Sequence, residues 1–345
     1  MAAKKAAPVP AHHVHLENYT AKPKIFWLTP ALARATQQRH PALAKRARFT
    51  TGADFTNLAR NLKTATMLIT STDVVRDVRW PRGETLAKAA PHLKLIQLIG
   101  AGIEGALPLD WLPRGVKLAN NSGVHVAKTR EFLLMSLLAL NCRLPAIVSN
   151  QRNARWEQIF TPTISGKTLA VIGVGDMGGA AVSAGKSLGL NIVGVRASGK
   201  AVPGVSKMYK PAQIKTALRG ADFVVIATPL TPSTANLVDA GALAAMKPGA
   251  GLINIGRAGV LDHDALVALL RSGRISGAIL DVHKPEPLPS GSPLWSVPNL
   301  VIVPHVSSDD LDHYMTQTMD FACANLKRLL GGRPALNVIK AHTGY

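Results

Sequence analysis

From residue 168 to residue 303 the chain alternates short, continuously apolar runs with longer stretches in which apolar residues recur at helical spacing. The runs are Thr168-Leu169-Ala170-Val171-Ile172, Leu190-Asn191-Ile192-Val193-Gly194-Val195, Phe223-Val224-Val225-Ile226-Ala227, Gly251-Leu252-Ile253-Asn254, Ile275 to Leu280, and Leu300-Val301-Ile302-Val303. Each has the length and composition of a strand buried on both faces. With helical segments between most of them, the pattern predicts six parallel strands in a doubly wound sheet.

The amino-terminal part repeats the theme on a smaller scale. Ile25-Phe26-Trp27-Leu28, Met67-Leu68-Ile69, Leu93 to Ile99 and Val116-Lys117-Leu118-Ala119 are short apolar runs separated by helical or loop segments, which predicts a small parallel α/β domain. A long apolar helix follows, from about Lys128 to Ser149, and a last helix, Leu311 to Leu330, comes after the sixth strand of the second sheet. A return of that last helix to the first sheet would make the first domain discontinuous. The expected division is residues 1–125 plus 310–345, with residues 1–20 a flexible tail, and residues 126–309.

Composition narrows the class. A chain of 345 residues with 47% apolar content has enough core for two domains, which excludes disorder as the overall state. The formal net charge of +20 suggests anionic ligands. Its basic residues are scattered, Lys45-Arg46-Ala47-Arg48 being the densest cluster in the body of the chain, and no basic stripe is interleaved with aromatics. No nucleic-acid partner is expected. Cys142 and Cys323 lie in apolar helical segments without metal or redox spacing, so both read as small core residues and no metal site is expected. The longest apolar run, Phe132 to Leu140, is far too short to span a bilayer, and the amino terminus lacks a signal-peptide core. A cytoplasmic protein without a membrane partner is the expectation. The basic, acid-free first fifteen residues leave a transit peptide as an alternative to a frayed tail.

The first apolar run of the second domain opens onto Gly173-Val174-Gly175-Asp176-Met177-Gly178, a G-x-G-x-x-G sequence between a strand and an Ala/Gly-rich helix. This is the first half of a dinucleotide-binding βαβ unit, as in a Rossmann domain. Gly173 would permit the tight turn, Gly175 the approach of a pyrophosphate, and Gly178 the close packing of the helix, whose amino terminus offers N–H groups to the anion. The second strand ends at Arg196, with Ser198 and Lys200 beyond, where NAD-binding units usually carry Asp or Glu for the ribose hydroxyls. A guanidinium there attracts a 2′-phosphate, so NADP (NADPH) is favoured, with NAD as the alternative.

Colinear motifs from Ile25 onward resemble the D-2-hydroxyacid dehydrogenases, and most of all their glyoxylate/hydroxypyruvate reductase-type members. They are Gly100-Ala101-Gly102-Ile103-Glu104, Asn121-Ser122-Gly123-Val124, the glycine fingerprint, Thr228-Pro229-Leu230-Thr231, Asn254-Ile255-Gly256-Arg257, Leu280-Asp281-Val282 with Glu286-Pro287, Ser292-Pro293-Leu294-Trp295 and Pro304-His305. The resemblance implies two domains, a Rossmann cofactor domain and a smaller flavodoxin-like α/β substrate domain. It also implies a catalytic Arg, Glu and His, here Arg257, Glu286 and His305. The chemistry agrees: an Arg holds a carboxylate and polarises a carbonyl, a His donates a proton near neutral pH, and a neighbouring carboxylate fixes its tautomer. Singly each would read as a surface charge or a structural histidine; their order and spacing together point to catalysis.

The resemblance further implies that backbone N–H groups of Ala101 and Gly102 bind the substrate carboxylate beside Arg257. It adds Asp176, Met177, Thr228 and Pro229 to the cofactor contacts, and places Asp281 at the nicotinamide end. His125 and the run Lys128-Thr129-Arg130 would lie near the cleft, His125 as a structural residue. The implied activity is NAD(P)-dependent reduction of a small 2-oxoacid to a D-2-hydroxyacid by a homodimer. The chain departs from the family pattern at Arg196, at Ala258 after the Arg, at Glu104, and at Ser307-Ser308-Asp309-Asp310 after the His. Two other readings stand beside it: an NADP(H)-sensing corepressor or nucleic-acid-associated protein of the same fold, suggested by the charge, and a compact 3-phosphoglycerate dehydrogenase.

Overall fold

A computed structural model describes residues 11–18 and 27–339. The chain divides into two compact units, Met1–Val124 with Asp310–Tyr345, and His125–Asp309.

The first unit is built on five parallel strands, β1 (His12–Asn18), β2 (Ala47–Ala53), β3 (Met67–Thr70), β4 (Leu95–Leu98) and β5 (Lys117–Ala119), in the order β2-β1-β3-β4-β5. This is the flavodoxin-like order. The helix Tyr314–Leu330 belongs to this unit: Met319, Ala322, Cys323 and Leu326 pack in one core with Val14, Leu16, Met67 and Leu95.

Two corrections follow. The segment expected to be a flexible tail supplies β1, an interior strand of the sheet; residues 1–10, 19 and 20 of that segment lie outside the described residues. The expected strand Ile25–Leu28 is not one at Trp27 and Leu28, and Ile25 and Phe26 lie outside the described residues.

The reason lies in how β1 alternates. Val14 and Leu16 face the apolar core, while His13, His15 and Glu17 face the other side, and all five are buried. The polar side is closed by hydrogen bonds. His13 meets Thr50 at 2.6 Å and Thr64 at 2.9 Å, and His15 meets Thr50 at 2.9 Å and Glu17 at 2.8 Å. Glu17 also accepts the Phe55 N–H at 3.0 Å. Buried polar groups are tolerated when they are paired, and most of these partners come from β2 and the segments near it in sequence, some 35 or more residues away.

The second unit holds seven parallel strands: β6 (Thr168–Ile172), β7 (Asn191–Val195), β8 (Lys207–Tyr209), β9 (Phe223–Ile226), β10 (Gly251–Asn254), β11 (Gly277–Leu280) and β12 (Leu300–Ile302). Their order is β12-β11-β10-β9-β6-β7-β8, the doubly wound arrangement in which order reverses beside β6. The addition to the six expected strands is β8, a three-residue edge strand whose Lys-Met-Tyr sequence carries no strand signal of its own. Two cores cover the faces. Ile172, Val224, Leu252 and Leu280 lie in one; Leu169, Val171, Val225 and Ile253 lie in the other with Leu133 and Leu137.

The single long helix expected over Lys128–Ser149 is two helices, Val126–Asn141 and Leu144–Arg152, bent by 66°. Arg143 between them is left-handed (φ 58°), and Pro145 at the start of the second helix has no N–H to continue the first ladder. Cys142 at this bend is exposed, not a core residue, whereas Cys323 is buried and its thiol is pushed up to about 12 by burial and, next, by Asp320. Among the described residues no single helix is long and apolar enough to cross a membrane.

Candidate active site

Three neighbouring strands of the second unit release the three candidate catalytic residues past their carboxyl ends: Arg257 after β10, Glu286 after β11 and His305 after β12. Ligands of open parallel sheets bind at this end.

Glu286 and His305 are in contact. Glu286 Oε2 lies 2.8 Å from His305 Nδ1, and Oε1 accepts the His283 backbone N–H at 2.7 Å. Burial acts to raise the pKa of the Glu286 carboxyl, but the His283 N–H and the His305 imidazole outweigh it, and the pKa is held below the ordinary carboxylate value. An ionised carboxylate only accepts, so Nδ1 carries the hydrogen and donates. Nε2 is then the nitrogen left to face a ligand.

The backbone at His305 is left-handed (φ 55°), a conformation that costs a non-glycine residue about 1–3 kcal/mol and persists where surrounding contacts impose it. Those contacts are present. Asp281, at the end of β11 and 1% exposed, accepts from the backbone N–H groups of Val306 at 2.9 Å and Ser307 at 3.1 Å, and from the Ser307 hydroxyl. On the other side the His283 ring donates from Nε2 to the Val303 carbonyl at 2.9 Å. The loop is therefore gripped before and after His305. The expected place of Asp281 is the nicotinamide end, and His283 is not among the expected site residues; in the structure the Asp281 carboxylate lies on the His305 loop, where three donors use most of its acceptor capacity. The signal for His283 was its place two residues beyond Asp281.

Arg257 is half-buried and donates from Nη1 to the Gly256 carbonyl at 2.8 Å. Asn254, buried at the end of β10, closes this turn by accepting from Gly256 N–H at 3.0 Å and donating to the Arg257 carbonyl at 3.3 Å. His125 begins the helix Val126–Asn141, is buried, and donates from Nδ1 to the Ser308 carbonyl at 3.2 Å. Burial pushes its pKa down, and both Arg257 and His305 lie close enough to add to that effect. That bond ties the start of the helix to the loop that follows His305.

At the end of β6 the glycine fingerprint has the sterics its sequence predicts. Gly173 is left-handed (φ 91°), and a Cβ there would strike Thr228. A Cβ on Gly178 would strike the Gly173 carbonyl oxygen, so only glycine lets the helix Asp176–Ser187 sit against the turn. Gly175 is exposed and faces open space, with Asp176 and Met177 opening the helix behind it. This cradle, with outward-pointing N–H groups at a helix amino terminus, fits the pyrophosphate of a dinucleotide. Thr228 is buried and donates its hydroxyl to the Ile172 carbonyl at 2.9 Å, so its side chain braces the turn; Pro229 beside it is half-buried. Arg196 and Ser198, past the end of β7, are exposed, and the Arg196 guanidinium makes no hydrogen bond or ion pair among the described residues.

Ala101 and Gly102 lie in the first unit, in the bend after β4. Asn120 donates to the Ala101 carbonyl at 2.8 Å, and the Asn121 backbone N–H to the Gly100 carbonyl at 3.0 Å, so the two family motifs of that unit meet. Among the described residues no cluster of His, Cys, Asp or Glu is placed to hold a metal.

Residues 134–307 match the D-isomer specific 2-hydroxyacid dehydrogenase, NAD binding domain. The chain belongs to the D-isomer specific 2-hydroxyacid dehydrogenase family. It is an oxidoreductase, and its second unit contains the family's NAD-binding domain. A glyoxylate reductase of Thermofilum pendens is 31% identical over 257 residues, 72% of this chain and 76% of that protein. A D-3-phosphoglycerate dehydrogenase of Synechocystis is 29% identical across 74% of this chain, which spans only 46% of that longer relative. In structure, the chain resembles a D-isomer specific 2-hydroxyacid dehydrogenase of Xanthobacter autotrophicus solved with NADPH and MES. The TM-score is 0.78 at 28% identity, over 98% of this chain and 100% of that one.

Proposed function

We propose that this dehydrogenase reduces a small 2-oxoacid of the glyoxylate or hydroxypyruvate kind to the D-2-hydroxyacid, with NADPH as reductant. The observation that carries the reading is the Glu286–His305 pair, gripped at the carboxyl end of the sheet next to Arg257. With the pyrophosphate of the dinucleotide in the glycine cradle, its nicotinamide would supply hydride to the carbonyl carbon. Arg257 would hold the oxoacid carboxylate and offset the charge developing on the carbonyl oxygen. His305, its Nδ1 hydrogen committed to Glu286, would give that oxygen a proton from Nε2. Ala101 and Gly102 N–H groups would add to carboxylate binding, and Asp281 would reach the carboxamide while it holds the His305 loop.

Preference for NADPH rests on Arg196, an exposed guanidinium without a hydrogen bond or ion pair among the described residues, where a 2′-phosphate would lie. Ser198 adds a hydroxyl. The dinucleotide also contacts Gly173, Gly175, Asp176, Met177, Gly178, Thr228 and Pro229 in this reading. A homodimer is supported by Trp156 (95% exposed) and Phe160 (86% exposed), which follow the half-exposed Leu144 and Ile147 on one segment. Initial rates with NADPH and with NADH, over glyoxylate, hydroxypyruvate, pyruvate and bulkier 2-oxoacids, test reaction and cofactor together. Absence of NAD(P)H oxidation with every acid would overturn the reading.

A further inference from the structure

The loop that carries His305 bears a second carboxyl. Asp309 closes a turn, its backbone N–H donating to the Val306 carbonyl at 3.3 Å. The turn is held at several points, at Val306 and Ser307 by Asp281 and at Ser308 by His125. Asp309 is half-buried, and its carboxyl makes no hydrogen bond or ion pair among the described residues. The other acidic groups of this face are committed, Asp281 to Val306 and Ser307, and Glu286 to His283 and His305.

The charged and titratable surroundings of Asp309 include His305. Burial raises its pKa, and the rings of His125 and His305 and the carboxylate of Asp281 act on it electrostatically. Burial lowers the His125 pKa, and Arg257 acts on the same ring. An uncommitted acceptor therefore sits among the groups that would flank the oxoacid, and a half-buried carboxyl of this kind gains from any donor brought to it.

We propose that Asp309 selects the substituent on the carbon next to the reacting carbonyl, favouring a hydroxyl over hydrogen and rejecting a second anionic group. The proposal rests on the reductase reading above. A hydroxyl donates to the carboxylate, a hydrogen in its place leaves it desolvated and unpaired, and a carboxylate or phosphate ester meets like charge. The last point separates this chain from an enzyme for phosphorylated oxoacids.

The test is a set of kcat/KM ratios within each protein, so that a general loss of folding or turnover cancels. The unmodified enzyme should prefer hydroxypyruvate to pyruvate, and pyruvate to oxaloacetate, each by about tenfold or more. In Asp309→Ala the hydroxypyruvate-to-pyruvate ratio should fall by about tenfold. In Asp309→Asn, which keeps the size and an acceptor, that ratio should largely survive while oxaloacetate gains about tenfold on pyruvate. Ratios unchanged in both variants, or no preference in the unmodified enzyme, overturn the proposal and leave the reductase reading standing. Failure of the unmodified enzyme to reduce any of these acids overturns that reading, and the proposal with it.

Discussion

Glu286 accepts a hydrogen bond from His305 Nδ1 at 2.8 Å while its second oxygen is held at 2.7 Å by the His283 N–H. The carboxylate is thus fixed at both oxygens before it fixes the imidazole. His305→Ala should lower kcat by about 10²- to 10⁴-fold with NADPH binding, read by fluorescence, unchanged. Glu286→Gln should lower kcat less, by about tenfold or more, because the amide can present its N–H₂ to Nδ1 and trap the wrong tautomer. Near-normal turnover in His305→Ala would remove His305 from the mechanism.

Asp281 holds the backbone of residues 306 and 307, so the position of His305 depends on it. Asp281→Asn loses an acceptor facing backbone N–H groups and should cost about 1–3 kcal/mol of stability. Turnover should fall with it, while KM for the oxoacid, set by Arg257, changes little. Denaturant titration and steady-state kinetics on the same preparation check both halves.

Arg196 makes the cofactor preference testable by one substitution. Arg196→Asp replaces an attractive charge with a repulsive one and should shift the NADPH-to-NADH ratio of kcat/KM toward NADH by about ten- to a hundredfold. An unchanged ratio would mean that the 2′-phosphate is read elsewhere.

Stability of the first unit should depend on pH through His13. Burial, with Arg48 and His15 adding to it, lowers the His13 pKa from 6.5 to about 4. Between those values the unfolded chain binds a proton that the folded chain refuses. The contribution is complete above pH 6.5 and is lost as pH falls toward 4, amounting to about 3 kcal/mol at most. Urea unfolding at pH 7, 5.5 and 4.5 should show the loss in the unmodified protein and a shallower dependence in His13→Gln.

Gly52 on β2 faces the buried His15–Glu17 pair, and a Cβ there would strike the Glu17 carboxylate and approach the His15 ring to 3.1 Å. Gly52→Ala should destabilise the protein by about 1–3 kcal/mol, since neither buried side chain has room to give. Thermal unfolding with unchanged midpoint would show that β1 packs differently.

Much of the second unit was legible in the sequence because a strand buried on both faces is almost wholly apolar, as β6, β9, β10 and β11 are; β7 opens on the exposed Asn191, and β12, though apolar, is only half-buried, with Val301 37% exposed. The glycine fingerprint was equally legible: Gly173 and Gly178 occupy places where a Cβ meets backbone, a constraint that leaves a mark on residue type. The bend after Asn141 was readable too, from Pro145, but the apolar run on either side of it suggested continuity.

By itself the sequence determined the alternation of strands and helices, the nucleotide-binding turn, and the order of Arg257, Glu286 and His305. Only the tertiary structure decided that His13, His15 and Glu17 form the inner face of a strand, that Asp281 grips the His305 loop, and that Asp309 beside it has no hydrogen-bond partner for its carboxyl among the described residues. The physical reason is the same in each case. Burial of an apolar residue is announced by its own type, whereas burial of a polar one depends on partners such as Thr50, Ser307 or Phe55 N–H, which arrive from distant segments once the chain has folded.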